Sequence, residues 1–374
     1  MSDLPEQRAW DVVRLAFEER TPAPPRRRIN ASLALAAAGV VTAAIVVAAF
    51  SPPGRAVIER VRKTVGIEHA EPALFSLPAP GRLLVVSAED GGVWLVHANG
   101  YKRRIGSYDD AQWSPHGLFL AATNTNELVA LDPEGNVHWS LARRDARWPR
   151  WEGSRTDTRI AYFAQSGLRV VAGDGTGDHL LDARAGDVPV AWDPARQHTL
   201  AYYSGGAIVL RNADTGRIVW RSPVGVLPAK LEWSDDGREL AVVSAKRIVV
   251  VNAAGRPFRT ISMLSAKLLE GTFAPGSHRL AVVVRLAGRS EVRLVDVDHP
   301  GHATLLFAGP GVFGDIVWSP NRKWLLVSWP TANQWVFLHG KHVRAVANIE
   351  QQFPRADHLG PMLQLAGRWC CAMY

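Results

Sequence analysis

An aromatic residue followed by a tight turn recurs through this chain at a nearly constant interval. It stands at Trp113-Ser-Pro115 with Gly117, Trp151-Glu-Gly153, Trp192-Asp-Pro194, Trp233-Ser-Asp-Asp-Gly237, Phe273-Ala-Pro-Gly276 and Trp318-Ser-Pro320. Successive anchors lie 38, 41, 41, 40 and 45 residues apart. A fixed period of roughly 20 to 50 residues marks an architecture in which each unit buries its apolar surface only against copies of itself.

Short β-type runs follow every anchor. One column reads Leu118-Phe-Leu-Ala-Ala122, Arg159-Ile-Ala-Tyr-Phe163 and Glu239-Leu-Ala-Val-Val243, and the next reads Glu127-Leu-Val-Ala-Leu131, Ala207-Ile-Val-Leu-Arg211 and Arg247-Ile-Val-Val-Val251. These runs are apolar and rich in β-branched residues, and Gly, Asn, Asp and Pro bound them, as buried strands require. Four strands in a period of about 41 residues form the blade of a β-propeller. Six anchors give six full blades. Arg82–Ser87, Val93–His97 and Lys102–Ile105 read as the last three strands of a further blade, and Trp369 in the final run Arg368–Tyr374 is expected to lie beside Arg82–Ser87 and complete it. Such closure removes an exposed sheet edge. The predicted fold class is all-β, a seven-bladed propeller over residues 81–374 closed by the C-terminal strand. The anchor tryptophans are expected to fill space between neighbouring sheets.

These turns resemble the WD40-like or TolB-like propeller repeat, whose usual form is Trp-Ser-Pro-Asp-Gly followed by an apolar strand. Val170-Val-Ala-Gly-Asp-Gly-Thr-Gly-Asp178 looks like the third strand and Asp-Gly turn of that repeat. The resemblance spans roughly residues 80 to 350 and implies a fold, not an activity. Trp151 lacks the proline and the repeat at Trp318 lacks the turn glycine. Asn212-Ala-Asp-Thr-Gly-Arg-Ile-Val-Trp220 and Leu131-Asp-Pro-Glu-Gly-Asn-Val-His-Trp139 look instead like the repeat of quinoprotein-type propellers, where a tryptophan closes the hairpin of the third and fourth strands. That family includes quinone-dependent dehydrogenases and cofactor-free envelope-assembly proteins. The adjacent Cys370 and Cys371 are similar to the vicinal pair of the dehydrogenases, although only two repeats carry the pattern and the chain is short for those enzymes.

Ahead of the repeats, Ile29 to Phe50 holds 22 residues without a charge. That matches the roughly 20 helical residues that cross hydrocarbon, and exceeds the apolar core of roughly 7 to 15 residues in a cleaved signal peptide. A retained transmembrane helix over 29–50 is therefore expected. Arg26, Arg27 and Arg28 abut it and place the N-terminus in the cytoplasm, with the propeller extracytoplasmic. Arg55, Arg60, Arg62 and Lys63 lie on the other side, so orientation rests on the tighter cluster. Residues 1–28 are expected to form a cytoplasmic segment with a short amphipathic helix capped at Asp3 and Glu6. Its stripe of Trp10, Val13 and Phe17 would dock on a cytoplasmic protein or on the inner membrane face. Residues 51–80 read as a juxtamembrane stalk helix with Val57, Ile58, Val61 and Val65 on one edge, then a proline-rich linker.

The net charge of +8 comes from scattered basic residues without a dense run, so no nucleic-acid partner is expected. Cys370 and Cys371 cannot make a disulfide framework or a zinc site. They read as buried thiols at a strand end, with a vicinal disulfide as the alternative in an oxidising compartment. Gly-x-Ser-x-Gly, His-Glu-x-x-His, a Walker loop and a dinucleotide-binding glycine motif are absent. His97, His116, His179, His198 and His302 read as solvated loop residues, and Asp174 to Asp178 as a hairpin turn, with a calcium loop as the alternative. No catalytic, cofactor-binding or metal-ligating residue is predicted, and the chain is not expected to be an enzyme. The expected role is a single-pass, membrane-anchored binding or scaffold module with a protein partner on the propeller. One version signals through residues 1–28 to a cytoplasmic regulator, as membrane-bound anti-sigma factors do. The alternatives are a quinoprotein-type envelope enzyme and a structural envelope-assembly component.

Overall fold

Strand sequences such as Glu239-Leu-Ala-Val-Val243 are apolar at consecutive positions instead of alternating, so each must be covered on both faces. The computed structural model of the chain meets that demand with seven four-stranded antiparallel sheets. It describes residues 76–353 except 88–91, 155, 263–265, 300 and 302, together with 363–364 and 369–371. The expected cytoplasmic segment with Trp10, Val13 and Phe17, the span 29–50 and nearly all of the stalk and linker lie outside the described residues. Among the described residues, no helix is long and apolar enough to cross a membrane.

Blade 1 contains β1 (Arg82–Ser87), β2 (Gly92–His97) and β3 (Lys102–Ser107). Blade 2 is β4 (Asp110–Trp113), β5 (Leu120–Thr123), β6 (Glu127–Leu131) and β7 (Val137–Ala142). Blade 3 is β8 (Arg147–Trp151), β9 (Arg159–Ala164), β10 (Gly167–Ala172) and β11 (His179–Asp182). Blade 4 is β12 (Ala191–Trp192), β13 (Thr199–Ser204), β14 (Ala207–Asn212) and β15 (Ile218–Pro223). Blade 5 is β16 (Lys230–Trp233), β17 (Glu239–Val243), β18 (Arg247–Asn252) and β19 (Pro257–Ser262). Blade 6 is β20 (Lys267–Phe273), β21 (Arg279–Arg285), β22 (Arg289–Asp296) and β23 (Ala303–Pro310). Blade 7 is β24 (Ile316–Trp318), β25 (Leu325–Trp329), β26 (Gln334–His339) and β27 (His342–Ala347).

The core is divided into seven apolar clusters, each shared by two neighbouring blades. The anchors sit in these seams: Trp113, Trp151, Trp233 and Phe273 are buried, and Trp192 and Trp318 are partly so. Packing is thus the role of the anchors, and each fully buried aliphatic side chain beside them contributes about 1.5 to 3 kcal/mol. The first strands of neighbouring blades abut and form the inner wall. Polar side chains stitch that wall together. Arg150 pairs with Asp110 at 3.3 Å, Lys230 with Glu270 at 2.6 Å, and the Thr272 hydroxyl donates to Glu232 at 3.0 Å.

Turn length varies in register with the sequence departures. Trp113, Trp233, Phe273 and Trp318 pair with Leu120, Leu240, Leu280 and Leu325, seven residues on. Trp192 pairs with Leu200 and Trp151 with Ile160, which lengthens the turns of blades 4 and 3 by one and two residues. Where the repeat at Trp318 lacks its glycine, Arg322 takes the left-handed conformation at φ 63°, matching Gly237 at 67°.

Trp139 and Trp220 pair within their own hairpins, opposite Ala130 and Leu210, but their rings do more than that. Each reaches forward to the next blade, donating its indole N–H at 3.1 Å to Gly173 O and Ala253 O respectively. A Cβ at Gly255 would lie 2.6 Å from the Trp220 ring, and its φ is +81°. Gly255→Ala is therefore expected to cost about 1 to 3 kcal/mol. Thermal unfolding of the full chain measures this, and an unchanged midpoint would contradict the forward docking.

Closure occurs where expected but takes a different form. The ladder is supplied by β28 (Leu363–Gln364), upstream of Trp369, which pairs with Ser87 and Val86. Cys370 then exchanges both backbone hydrogen bonds with Arg82, at 2.8 and 2.9 Å. Trp369 is 3% exposed and packs in the seam of blades 7 and 1, its ring 5.9 Å from that of Phe337. Cys370 and Cys371 are not free thiols: a disulfide joins them, against the turn glycine Gly117 of blade 2.

Candidate functional site

Antiparallel connections alternate between the two ends of a sheet. The turn joining the first and second strands therefore emerges on the same rim as the turn joining the third and fourth. Charge gathers on this rim, in two clusters that occupy matching places in the ring.

The first cluster lies at blades 3 and 4. His198 precedes β13, and its Nδ1 lies 2.7 Å from Asp214. Arg159 opens β9 and grips Asp214 through two hydrogen bonds of 2.9 Å, with a third of 2.6 Å to Asp157. Glu152 is buried, and its oxygens accept from the backbone N–H groups of His198 at 2.6 Å and Arg159 at 3.1 Å. Every carboxylate here has a donor. His198, read from sequence as a solvated loop residue, is an enclosed partner of three carboxylates instead. The long turns of blades 3 and 4 carry these groups over the seam.

The second cluster lies at blades 5 and 6. His278 precedes β21 just as His198 precedes β13. Asp298 stands two residues beyond Asp296, the partner of Arg279, as Asp214 stands two beyond Asn212, the partner of Thr199. Glu239 opens β17 where Arg159 opens β9, each just ahead of the residue that pairs with its anchor tryptophan. An acid thus replaces the arginine. His278 Nδ1 lies 3.5 Å from Glu239 and 3.3 Å from Asp298, while its Nε2 lies 3.1 Å from Asp236. Glu239 is 4% exposed, and its Oε2 is buried with no hydrogen-bond partner among the described residues. Beside the cluster is a cavity of about 400 Å³ lined by Asp236, Arg238, Ser277, His278, Arg279 and Asp298 among others.

The electrostatics follow from this geometry. Burial pushes the Glu239 carboxyl up to about 7, and the charges of Asp298, Asp236 and Asp296 add to that while His278 opposes it. Burial alone would lower the pKa of His278, but Asp236, Glu239 and Asp298 together raise it. Asp236 is held down at about 2 against its own desolvation by the Ser234 hydroxyl, the Arg238 N–H and His278.

The turn 174–178 does not present its acids to a cation. Asp174 accepts from the Thr176 backbone and hydroxyl at 3.0 and 2.7 Å. Asp178 faces inward to Arg143, Arg169 and Tyr162. His179 bridges Gly177 O and Ala213 O, at 2.9 and 3.0 Å. His116 is exposed, and His302 lies outside the described residues.

An apolar feature accompanies the charge. Val137, Leu180, Ile218 and Phe258 stand at or next to the start of the fourth strand in blades 2, 3, 4 and 5, and all are exposed. The fourth strand is the outer edge of each sheet. Four successive blades therefore carry an exposed apolar residue at matching outer positions, and nothing in the alternation of the earlier strands announced it.

No family model matches the sequence, and no curated protein matches it either. The fold is similar to that of solved structures. The WD40 domain of Neurospora crassa Pan2 aligns with a TM-score of 0.54 at 12% identity, covering 72% of this chain and 91% of that one. A chain of the mitotic checkpoint complex aligns with a TM-score of 0.54 at 15% identity, covering 71% and 90%. The dihydro-heme d1 dehydrogenase NirN in complex with DHE aligns at 0.51 with 14% identity, covering 75% and 76%. At these identities the likeness is one of fold, and the chain is an all-β, seven-bladed propeller with WD40 structures among its neighbours in fold.

Proposed function

We propose that this chain is a membrane-anchored, extracytoplasmic binding or scaffold module that catalyses no reaction. The observation that carries the binding role is the row of exposed Val137, Leu180, Ile218 and Phe258 on four successive outer strands, beside a strongly charged rim. Repeated at matching places on neighbouring blades, these side chains offer a partner a regularly spaced set of apolar contacts. The presence of one fold neighbour in the mitotic checkpoint complex supports a protein as the ligand. The uncharged stretch Ile29–Phe50 and Arg26–Arg28 support the anchor and its orientation. The Cys370–Cys371 disulfide supports an oxidising compartment for the propeller.

A crosslinking and pull-down experiment on the full-length protein tests the binding role. Ile218→Asp with Phe258→Asp is expected to remove the partners captured by the wild type while thermal unfolding stays within about 1 kcal/mol, because both sites are on the surface. Capture unchanged by the double substitution would refute the surface. Membrane localisation is tested separately: the wild type should resist extraction by alkaline carbonate, and deletion of residues 29–50 should release it. Deletion of residues 1–20 should change cytoplasmic partners only.

The vicinal Cys370–Cys371 pair supports a second reading, a quinoprotein-type envelope enzyme. Quinone binding or calcium-dependent dehydrogenase activity by the purified chain would favour that reading over the first.

A further inference from the structure

The two rim clusters are a natural comparison within one molecule. In blades 3 and 4, Arg159 supplies a fixed positive charge and donors to Asp157 and Asp214. In blades 5 and 6, the same place in the fold holds Glu239, so the charge that neutralised the first cluster becomes one more carboxylate. Arg238 approaches Asp236, at 3.4 Å, and is 77% exposed. The second cluster therefore has the histidine and the acids of the first, with no arginine in the place of Arg159.

We propose that Glu239, His278 and Asp298 bind a divalent transition-metal cation, with Asp236 positioning the imidazole. Four features support it. Glu239 is buried, yet its Oε2 has no donor, a state that costs about 1 to 3 kcal/mol or more when the group is charged. One atom from each of the three side chains lies within 4.8 Å of the others. The spacings of 3.5 and 3.3 Å from His278 Nδ1 to the two carboxylates match a tetrahedral zinc. Bonds of about 2.0 to 2.1 Å to zinc set its donor atoms about 3.3 to 3.4 Å apart. Finally, Nε2 faces Asp236 at 3.1 Å, the carboxylate–histidine arrangement that fixes the tautomer and orientation of a metal-ligating imidazole.

A nitrogen and two carboxylates suit zinc or a neighbouring first-row ion, whereas calcium takes roughly six to eight oxygens. Three protein ligands leave a fourth position for water. An imidazolium at His278, together with Arg238 beside Asp236, would satisfy part of the cluster without metal, but Glu239 Oε2 still lacks a donor among the described residues.

Tag-free full-length protein in detergent, dialysed against zinc buffered by a competing chelator, tests the site by metal quantification and by the thermal midpoint. The wild type should take up one zinc and melt higher with it. Glu239→Gln and Asp298→Asn should each weaken zinc by at least about 100-fold, and Asp236→Asn by about 10- to 100-fold, the range for a residue that orients a ligand. His198→Gln, in the sister cluster, should leave stoichiometry unchanged. Asp298 is half exposed, so its variant reports even if Glu239→Gln fails to fold. The proposal is overturned by the absence of stoichiometric zinc, by uptake that Asp298→Asn leaves intact, or by calcium binding as tightly as zinc.

Discussion

Asp178→Ala is expected to destabilise the propeller by about 3 to 5 kcal/mol, the range for removing one partner of a buried ion pair. The side chain of Asp178 is only 6% exposed. It accepts from Arg169 Nη2 at 2.7 Å, from Arg143 Nε at 2.9 Å and from the Tyr162 hydroxyl at 2.7 Å. Arg143 follows the last strand of blade 2, and the other groups belong to blade 3, so one carboxylate holds a seam between blades. Removing it leaves two guanidinium groups and a phenol facing one another without an acceptor. Asp178→Asn retains the volume and loses only the charge, which separates the electrostatic part from the cavity. The pH dependence has a definite sign. Burial disfavours the ionised form of Asp178, but the bonds from Arg169, Tyr162 and Arg143 outweigh it and hold the pKa below the ordinary value. A carboxyl depressed in the folded state adds stability above its unfolded pKa, about 3.9, and loses it as pH falls through the folded value. The gap in unfolding free energy between wild type and Asp178→Asn should therefore be full at pH 7 and narrow below about pH 4. A gap that is constant down to pH 2 would contradict the ionic account.

Trp369→Ala is the second large effect, with an expected loss of about 3 to 5 kcal/mol. The indole fills the seam between blades 7 and 1, beside Phe337, Leu83 and Val96. Its Nε1 is buried and has no hydrogen-bond partner among the described residues. Trp369→Phe should consequently cost less than about 1.5 kcal/mol, because it preserves most of the volume and removes an unsatisfied donor. The ratio of the two losses, read from denaturant unfolding of the full chain, distinguishes packing from hydrogen bonding. Trp369→Ala also loosens the cover on the free edge of β1. An uncovered edge pairs with other chains, so size-exclusion chromatography should show concentration-dependent oligomers for Trp369→Ala and none for Trp369→Phe. Equal behaviour of the two variants would count against closure through this side chain.

Blade number and strand positions were legible because each strand repeats a local pattern. Glu127–Leu131 and Glu239–Val243 appear with the boundaries read from sequence, and the anchors recur at near-constant spacing. The closing ladder was less legible. Leu363–Gln364 is two residues long, and the aromatic Trp369 drew attention to the segment after it. The rim clusters were hidden for a different reason. Glu239, His278 and Asp298 are 39 and 20 residues apart, and no linear motif joins them. Only alignment of the second-strand column reveals that Arg159 and Glu239 share a place, with His198 and His278 each just before the next strand of that column. The hairpin turn at Asp174 to Asp178 was legible, but the inward role of Asp178 was not, because Asp and Gly satisfy both a hairpin turn and a cation loop. What separates the two is the direction of the carboxylate, which depends on Arg143 in another blade.

Because Arg82 and Cys370 are hydrogen-bonded across 288 positions of sequence, the timing of assembly is constrained. A chain emerging from the ribosome or a translocation pore can pair blades 2 to 7 in turn, since their strands are neighbours in sequence. Blade 1 must wait with one edge bare until nearly the whole propeller has appeared. Pairings of such long range form late and fold slowly. The interval between synthesis of β1 and arrival of its last partner is when this protein is most open to aggregation or to capture by a chaperone.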